Sequence, residues 1–187
     1  MPFFPSLEDS AGPGEVFTSR PELYGHWSQM SQTLMNGPSE LTPGERELIA
    51  GFVAGLVPCE YAYVAHSEAA YAWDIEEGLI ERLVADPSHA SAEARLRPLL
   101  NFVRKLTVAP DTLTETDARA VLDTGWTECA LHDAIAVTAR MHFMSRLIFG
   151  HGFIPMSRER AKRNAAARRE KGYVGLYPAL AGDENEG

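Results

Sequence analysis

Cysteine and basic residues are both scarce in this chain of 187 residues. Only Cys59 and Cys129 are present, too few for a secreted scaffold held together by disulfides, so a cysteine with a role should act through its chemistry. The 17 Lys and Arg residues stand against 26 Asp and Glu residues, and the formal net charge is -9. Proteins that bind nucleic acid neutralise its phosphates with an excess of basic residues, so we expect no nucleic-acid partner.

Long apolar runs are absent as well. The first ten residues, MPFFPSLEDS, lack the basic start and the apolar core of a signal peptide. The most apolar stretch, 134–139, ends at Arg140 and is much shorter than a helix that spans a bilayer. We therefore expect a cytoplasmic protein without a membrane partner.

Apolar residues recur with the helical period, and no segment alternates as a half-buried strand would. The pattern predicts an all-α fold with helices over 21–35, 43–57, 59–73, 75–84, 92–106, 114–123 and 129–149. Thr42, Pro43 and Glu45 form the start signal of the second helix, including a capping box. Thr127 can cap the last helix, which is apolar on most sides and is expected at the centre of a bundle. The length fits one domain, placed at 21–150.

The two ends of the chain differ from this helical part. Residues 1–20 are rich in proline and glycine, so we expect an extended arm packed on its own or a neighbouring subunit. Residues 151–187 form a C-terminal arm and tail, of which 182–187 should fray. Seven basic and two acidic residues between Arg158 and Lys171 give this segment a charge of +5. The segment binds an anionic ligand or nucleic acid, packs on an acidic surface or stays solvated, and the overall charge favours the last two.

Glu47, Cys59 and His66 form the most informative pattern in the sequence. At about 100° per residue, Cys59 and His66 lie on one face of the same predicted helix, two turns apart. Cys59 stands in the first turn, where free amides and the helix dipole favour the thiolate, the nucleophilic and oxidisable form. The placement predicts a reactive cysteine beside a potential base.

Glu47 lies on the preceding helix, opposite its apolar stripe and beside the small residues Ala50, Gly51 and Ala54. Small residues permit the close approach of another helix, so a carboxylate there can be buried. A buried carboxylate with a raised pKa can exchange a proton with a histidine. The other interpretation is an ordinary first-turn acid that interacts with the helix dipole. Helix physics alone leaves both open.

These residues resemble the motif of the alkylhydroperoxidase D-like, or carboxymuconolactone decarboxylase-like, superfamily, particularly its uncharacterised peroxidase-related branch. The motif is Glu, eleven residues, Cys-x-x-Cys, three residues and His. Glu47, Cys59 and His66 match it, together with Tyr61 in the cysteine turn. Ala62 takes the place of the second cysteine.

The resemblance covers about 41–149 and includes the run HFMSRL at 142–147, which is similar to a late helix of the relatives. It implies an alkylhydroperoxidase D-like helical bundle with extended N-terminal and C-terminal arms. It also implies a homo-oligomer. Thiol-based chemistry would require no haem, flavin or metal, so we expect no cofactor.

By the resemblance, Cys59 is the redox residue in a thiol-based reduction of hydroperoxides, and His66 with Glu47 is its proton relay. In peroxidase members the second cysteine attacks the peroxide, so Ala62 removes that group and a disulfide between positions 59 and 62. Cys59 alone can still be oxidised to a sulfenic acid and reduced by an external thiol. The first hypothesis is therefore a peroxidase-related antioxidant protein whose activity Ala62 impairs or alters.

Three other residues are candidates for substrate binding. Tyr63 shares the helix face of Cys59. His142 and Arg146, four residues apart on the last helix, either bind a carboxylate or form a polar pair inside the bundle. Cys129 is in principle able to resolve an oxidised Cys59, but free cysteines are commonly buried and we expect it to pack inside. No paired ligand motif supports a metal site.

Two further hypotheses compete with the first. On the decarboxylase side of the same superfamily, a histidine and a carboxylate transfer protons on a small organic acid, and no cysteine pair is required. The third hypothesis is a non-catalytic oligomeric binding protein that kept the fold after losing the dithiol. Turnover that depends on His66 favours the second hypothesis, and an apolar pocket with an un-ionised Cys59 favours the third.

Overall fold

The computed structural model describes residues 1–86 and 94–180. This part of the chain contains nine α-helices and no strand, which confirms the predicted all-α fold. The helices are α1 Pro13–Ser19, α2 Pro21–Asn36, α3 Pro43–Leu56, α4 Glu60–Ala72, α5 Leu79–Ala85, α6 Arg97–Val108, α7 Glu115–Leu122, α8 Glu128–His151 and α9 Arg158–Gly175. Short 3-10 helices lie at Pro110–Thr112 and Pro178–Leu180. Every helix in the described ranges is too short or too polar to cross a membrane.

Helix α3 is the central element of the fold. It packs against α4, α5, α6 and α8, and Leu48, Phe52 and Val53 are fully buried. The helix begins as predicted: Thr42 Oγ1 accepts a hydrogen bond from the Glu45 amide at 3.2 Å, and the Glu45 carboxylate accepts one from the Thr42 amide at 2.7 Å. This capping box satisfies amides that the helix itself leaves free.

The side of α3 with small residues is covered by α4 and α5. A Cβ on Gly51 would lie 3.0 Å from Ile80 Cδ1 and 3.5 Å from the backbone nitrogen of Ser67 on α4, so glycine permits this close approach. Glu47 lies on the same helix and is 1% exposed. The interpretation of Glu47 as a buried carboxylate is confirmed, and the ordinary first-turn acid is excluded.

The sequence patterns placed the starts of two helices, α5 and α6, too early. Helix α5 begins at Leu79 rather than at 75, because Gly78 at its N-cap takes a left-handed φ of 81°. The predicted start of a helix at 92 lies outside the described residues, but residues 94–96 form a turn and α6 begins only at Arg97. The tail 182–187 also lies outside them.

Helix α8 is not the centre of the bundle, contrary to expectation. Thr127 caps it as predicted, accepting a hydrogen bond from the Ala130 amide at 3.2 Å. Only one face is buried, however, and Phe143 and Phe149 are 42% and 46% exposed. Apolar composition alone did not indicate which sides of this helix would pack against other helices.

The N-terminal arm is not extended throughout, because Pro13 begins the helix α1. The Gly12 amide donates to the Glu15 carboxylate at 2.9 Å, which fixes the start of this helix. Phe17 and Tyr24 pack with Leu180 in a small hydrophobic cluster separate from the main core. The N-terminal arm and the segment around Leu180 therefore meet on the surface of the bundle.

The C-terminal arm is helix α9, which packs against α4 and α2. Its basic residues pair with acids on α4 and in the segment that follows it: Arg158 with Glu68 and Glu77, and Arg169 with Asp74, the last pair at 3.7 Å. Packing on an acidic surface, one interpretation of the +5 charge, is thus observed for this segment.

A kink in α9 at Gly172 places the following residue against the core. Gly172 has φ 68° and ψ -171°, a conformation that is essentially restricted to glycine. The amide of Tyr173 then donates to Gln32 Oε1 on α2 at 2.6 Å. The kink and this hydrogen bond fix the position of the Tyr173 ring.

Candidate active site

A buried carboxylate and a buried imidazole join α3 to α4. Glu47 Oε2 lies 2.6 Å from His66 Nδ1, and the exposed fractions of the two side chains are 1% and 8%. An ionised carboxylate can only accept hydrogen bonds, so His66 donates from Nδ1. In the neutral imidazole, Nε2 then carries the free lone pair. The structure therefore brings these two predicted site residues together.

Two residues of α9 complete the surroundings of Glu47. The Tyr173 hydroxyl donates to Glu47 Oε1 at 2.7 Å. Arg168 Nη1 lies 3.7 Å from Glu47 Oε2, and the Arg168 guanidinium carbon is 5.0 Å from the centre of the Tyr173 ring. The C-terminal arm thus contributes directly to the environment of the pair.

The protonation of the pair follows from these contacts. Burial raises the pKa of Glu47, but the charge and hydrogen bond of His66, with Arg168 and Tyr173, outweigh it and lower the pKa to about 2. The expected raised pKa of Glu47 is therefore wrong. Burial lowers the pKa of His66 below its ordinary value of 6.5, although Glu47 acts in the opposite direction. Near neutral pH the pair consists of a carboxylate and a neutral imidazole with a basic Nε2.

A cavity of about 440 Å³ opens beside the pair. Its lining includes Tyr61, Ala62 and His66 from α4, Arg140 from α8, and Arg160 and Arg168 from α9. The volume lies in the range of small-molecule sites. Because Nδ1 of His66 is engaged by Glu47, Nε2 is the nitrogen that can contact a molecule in this cavity. Such an arrangement can accept a proton at Nε2 while the carboxylate stabilises the resulting imidazolium.

Cys59 is not among the residues that line the cavity. It is the N-cap residue of α4 and its side chain is fully buried. Burial raises the pKa of the Cys59 thiol, although a backbone hydrogen bond from Ala62 acts in the opposite direction. The expectation that the helix start favours the thiolate is therefore wrong, because burial outweighs it. Ala62, which takes the place of the second motif cysteine, does line the cavity.

The three candidate substrate-binding residues lie outside the cavity lining. Tyr63 is half-buried and packs against the core beside Gly55. His142 is half-buried on α8, where burial and the nearby Arg146 lower its pKa. Arg146 itself is exposed. The structure does not bring these residues to the pair of Glu47 and His66.

Cys129 is exposed, so the expectation that it packs inside is wrong. It lies in the first turn of α8, where Ala130 and Leu131 face the core instead. In residues 1–86 and 94–180, no three His, Cys, Asp or Glu side chains come together as a possible metal site.

Sequence reasoning missed Arg168 and Tyr173. The charge of the C-terminal segment was visible, but nothing distinguished Arg168 from the other basic residues around it. Gly172 inside a helical pattern was the one local signal of a kink ahead of Tyr173. Arg140 was visible only as the charge that ends the most apolar stretch. Packing between helices that are distant in sequence brings these residues to the cavity.

No protein-family model and no curated protein matches the sequence. Two solved structures are similar to it. An uncharacterized peroxidase-related protein from Silicibacter sp. TM1040 has 28% identity and a TM-score of 0.72, with 78% of this chain and 76% of that chain covered. An alkylhydroperoxidase AhpD core, an uncharacterized peroxidase-related protein from Ralstonia eutropha JMP134, has 22% identity and a TM-score of 0.71, with 83% of this chain and 93% of that chain covered. The resemblance that the motif indicated is confirmed.

Proposed function

We propose that this chain, which belongs to the alkylhydroperoxidase D-like superfamily, is an enzyme that transfers a proton to or from a small organic molecule. The observation that carries the proposal is the 2.6 Å contact between Glu47 and His66 beside the cavity. Glu47 fixes the tautomer of His66, so that the neutral imidazole offers Nε2 as the base. This reading corresponds to the decarboxylase side of the superfamily.

The surroundings of the two cysteine positions of the motif support proton transfer over thiol chemistry. Ala62 lines the cavity at the position of the second motif cysteine and carries no thiol. Cys59 is fully buried, and burial raises the pKa of its thiol. A thiol that is protonated and shielded from the cavity is a poor nucleophile in the resting state.

In the proposed reaction, Nε2 of His66 takes a proton from a carbon next to an electron-withdrawing group. The electron pair of the broken C–H bond remains on the substrate, and the imidazolium is stabilised by Glu47. The proton then returns to the product, which restores the neutral imidazole. Tyr173 holds the second oxygen of Glu47 and keeps the carboxylate in place throughout.

Exchange of substrate hydrogen for deuterium, followed by NMR in D₂O over a panel of small organic acids that includes a lactone acid, tests the proposal. We expect turnover or exchange that falls at least a hundredfold in His66→Gln and is unchanged in Cys59→Ser. The exposed His26 supplies a matched control, since His26→Gln should behave as the wild type. Activity that survives His66→Gln would refute the assigned base.

The second candidate is the thiol-based reduction of hydroperoxides. The 28% identity to a peroxidase-related protein favours it. The proton of the Cys59 thiol would pass to Nε2 of His66, and the thiolate would attack the peroxide oxygen. The O–O bond would break, and the imidazolium would return the proton to the departing alkoxide. An external thiol would then reduce the sulfenic acid. Intact-mass analysis with an alkyl hydroperoxide tests this: rapid oxidation that is absent in Cys59→Ser supports it, and no oxidation beyond that of a free thiol excludes it.

We also expect a homo-oligomer in the cytoplasm. Exposed apolar residues on α2 and α8 support the assembly, among them Met30, Phe143 and Phe149. Light scattering coupled to size exclusion measures the subunit number. A monomer at high concentration would contradict the expectation.

A further inference from the structure

The cavity beside His66 has a charge opposite to that of the whole chain. Among the described residues that line it, Arg140, Arg160 and Arg168 are basic and Glu15 is acidic. The chain as a whole carries a net charge of -9. Clustered positive charge in a concave site attracts anions, so the cavity favours a negatively charged molecule.

Two of the three arginines already have hydrogen-bond partners. Arg160 Nη1 donates to the backbone oxygen of Ser10 at 2.7 Å, and Arg140 Nε donates to the Ser31 hydroxyl at 3.1 Å. Arg168 differs, because within the described part of the chain its Nε and Nη1 atoms are buried and have no hydrogen-bond partner. Its side chain is 16% exposed, so the guanidinium is almost enclosed while two of its three nitrogens lack a hydrogen bond.

Glu47 does not satisfy Arg168. The two oxygens of Glu47 accept hydrogen bonds from His66 and Tyr173, and Arg168 Nη1 stays 3.7 Å from Oε2, which is too long for a hydrogen bond. The nearby charge of Glu47 stabilises the guanidinium, but buried N–H groups without hydrogen bonds remain costly. The planar fork of arginine fits a carboxylate with two parallel hydrogen bonds. The free donors therefore match an anion that comes from outside the chain.

We propose that Arg168 binds the carboxylate of a small organic acid in the cavity and holds its reacting carbon next to Nε2 of His66. The inference rests on the proposed proton-transfer function, and it names the substrate class and the residue that selects it. Arg168 and His66 both approach Oε2 of Glu47, so a carboxylate held by Arg168 comes close to the base. The C-terminal arm thereby supplies the substrate-binding residue, and α4 supplies the base.

Calorimetric titration of the full chain with benzoate and with its uncharged analogue benzamide at pH 7 tests the inference. We expect the wild type to bind benzoate about tenfold or more tightly, the range of a charge-assisted pair. Arg168→Gln should abolish this preference and leave the affinity for benzamide within about twofold. Arg163→Gln makes the same charge change at an exposed position of α9 and should keep the preference.

Three results would overturn the inference: no binding of benzoate, equal binding of both probes by the wild type, or an equal loss in Arg163→Gln. If Arg168→Gln fails to fold in a thermal melt, Arg168→Lys keeps the charge but loses the planar fork, and its benzoate affinity should still fall several-fold. His66→Gln separates the two proposals. It should retain the preference for benzoate, so a failure to find any His66-dependent exchange would refute the proposed function and leave the carboxylate site standing.

Discussion

The hydroxyl of Tyr173 donates to Oε1 of Glu47 across 2.7 Å, although 126 positions separate the two residues in the chain. Through this bond the C-terminal arm contacts the carboxylate that orients His66. The two oxygens of Glu47 are thus held from different helices, one from α4 and the other from α9. The geometry of the pair of Glu47 and His66 therefore depends on the docking of α9.

Tyr173→Phe removes the hydrogen bond but retains the aromatic ring that lies near Arg168. Because this hydrogen bond goes to a buried charged group, we expect a loss of about 2 kcal/mol in the free energy of unfolding. The pKa of Glu47 should rise, since the Tyr173 bond helps to lower it. Urea denaturation measures the stability.

Tyr177→Phe is the matched control, because Tyr177 lines the same cavity and its hydroxyl makes no hydrogen bond within the described part of the chain. Its free energy of unfolding should change by less than about 0.5 kcal/mol. Equal losses in the two variants would contradict the role given to the Tyr173 hydroxyl.

Gly172→Ala tests the kink that positions Tyr173. The φ of 68° strains any side chain there, and a Cβ would lie 2.3 Å from Gln32 Oε1. We expect a loss of about 2 kcal/mol in thermal or denaturant unfolding, together with reduced His66-dependent activity. Gly150→Ala on α8, where a Cβ meets nothing within 4 Å, should be neutral or slightly stabilising. Similar losses in both variants would rule out strain at Gly172 as the cause.

The stability of the protein should fall as the pH decreases below 6.5. His66 has a folded pKa below its ordinary 6.5, so the unfolded chain takes up a proton at a pH where the folded chain does not. Glu47 acts in the same direction at lower pH, because its pKa is about 2 in the folded state and ordinarily 4.5. Two acid-side decreases are therefore expected, the first below pH 6.5 and the second between pH 4.5 and 2.

Urea midpoints measured from about pH 2 to 8 check this dependence. His66→Gln should flatten the decrease that begins below pH 6.5, whereas the exposed His26 provides a control, His26→Gln, that should leave it unchanged. A stability that rises as the pH falls from 7 to 5 would show that the buried imidazole is charged in the folded state.

The two cysteines should differ strongly in their reactivity towards a disulfide reagent in the native protein. Cys129 is exposed and should react within seconds to minutes, whereas Cys59 is buried and should react only on local or global opening. Absorbance at 412 nm with Ellman's reagent (~1 equivalent fast, ~1 slow) separates the phases. Cys129→Ser should remove the fast phase, and a fast phase that persists in this variant would place Cys59 within reach of solvent.

Ala62→Cys restores the second cysteine of the superfamily motif at a position that lines the cavity. We expect the introduced thiol to be oxidised by alkyl hydroperoxides and to form a disulfide with Cys59, with a mass loss of two hydrogens. Peroxide consumption with a dithiol reductant should rise above that of the wild type. The same substitution combined with Cys59→Ser should allow oxidation but no disulfide. No gain in consumption would indicate that the chain has lost more of the peroxidase machinery than one thiol.

Much of the fold could be predicted from local signals. The capping box of Thr42 and Glu45 and the cap at Thr127 are short-range patterns, because a helix start is stabilised by residues within one turn. The small residues near Glu47 indicated the approach of a second helix. Helix α5 was placed too early, since the left-handed turn at Gly78 interrupts a continuing apolar pattern.

The sequence by itself determined the helical fold and the absence of a thiol at Ala62, because helix periodicity is a property of neighbouring residues. The pairing of Glu47 with His66 was expected only from the resemblance to the superfamily motif. Only the tertiary structure decided the chemistry of the site. Burial turned Cys59 from an expected thiolate into a protonated thiol, and partners from α9 lowered the pKa of Glu47 that was expected to be raised. Desolvation and charge act through space, so they depend on which helices the fold brings together.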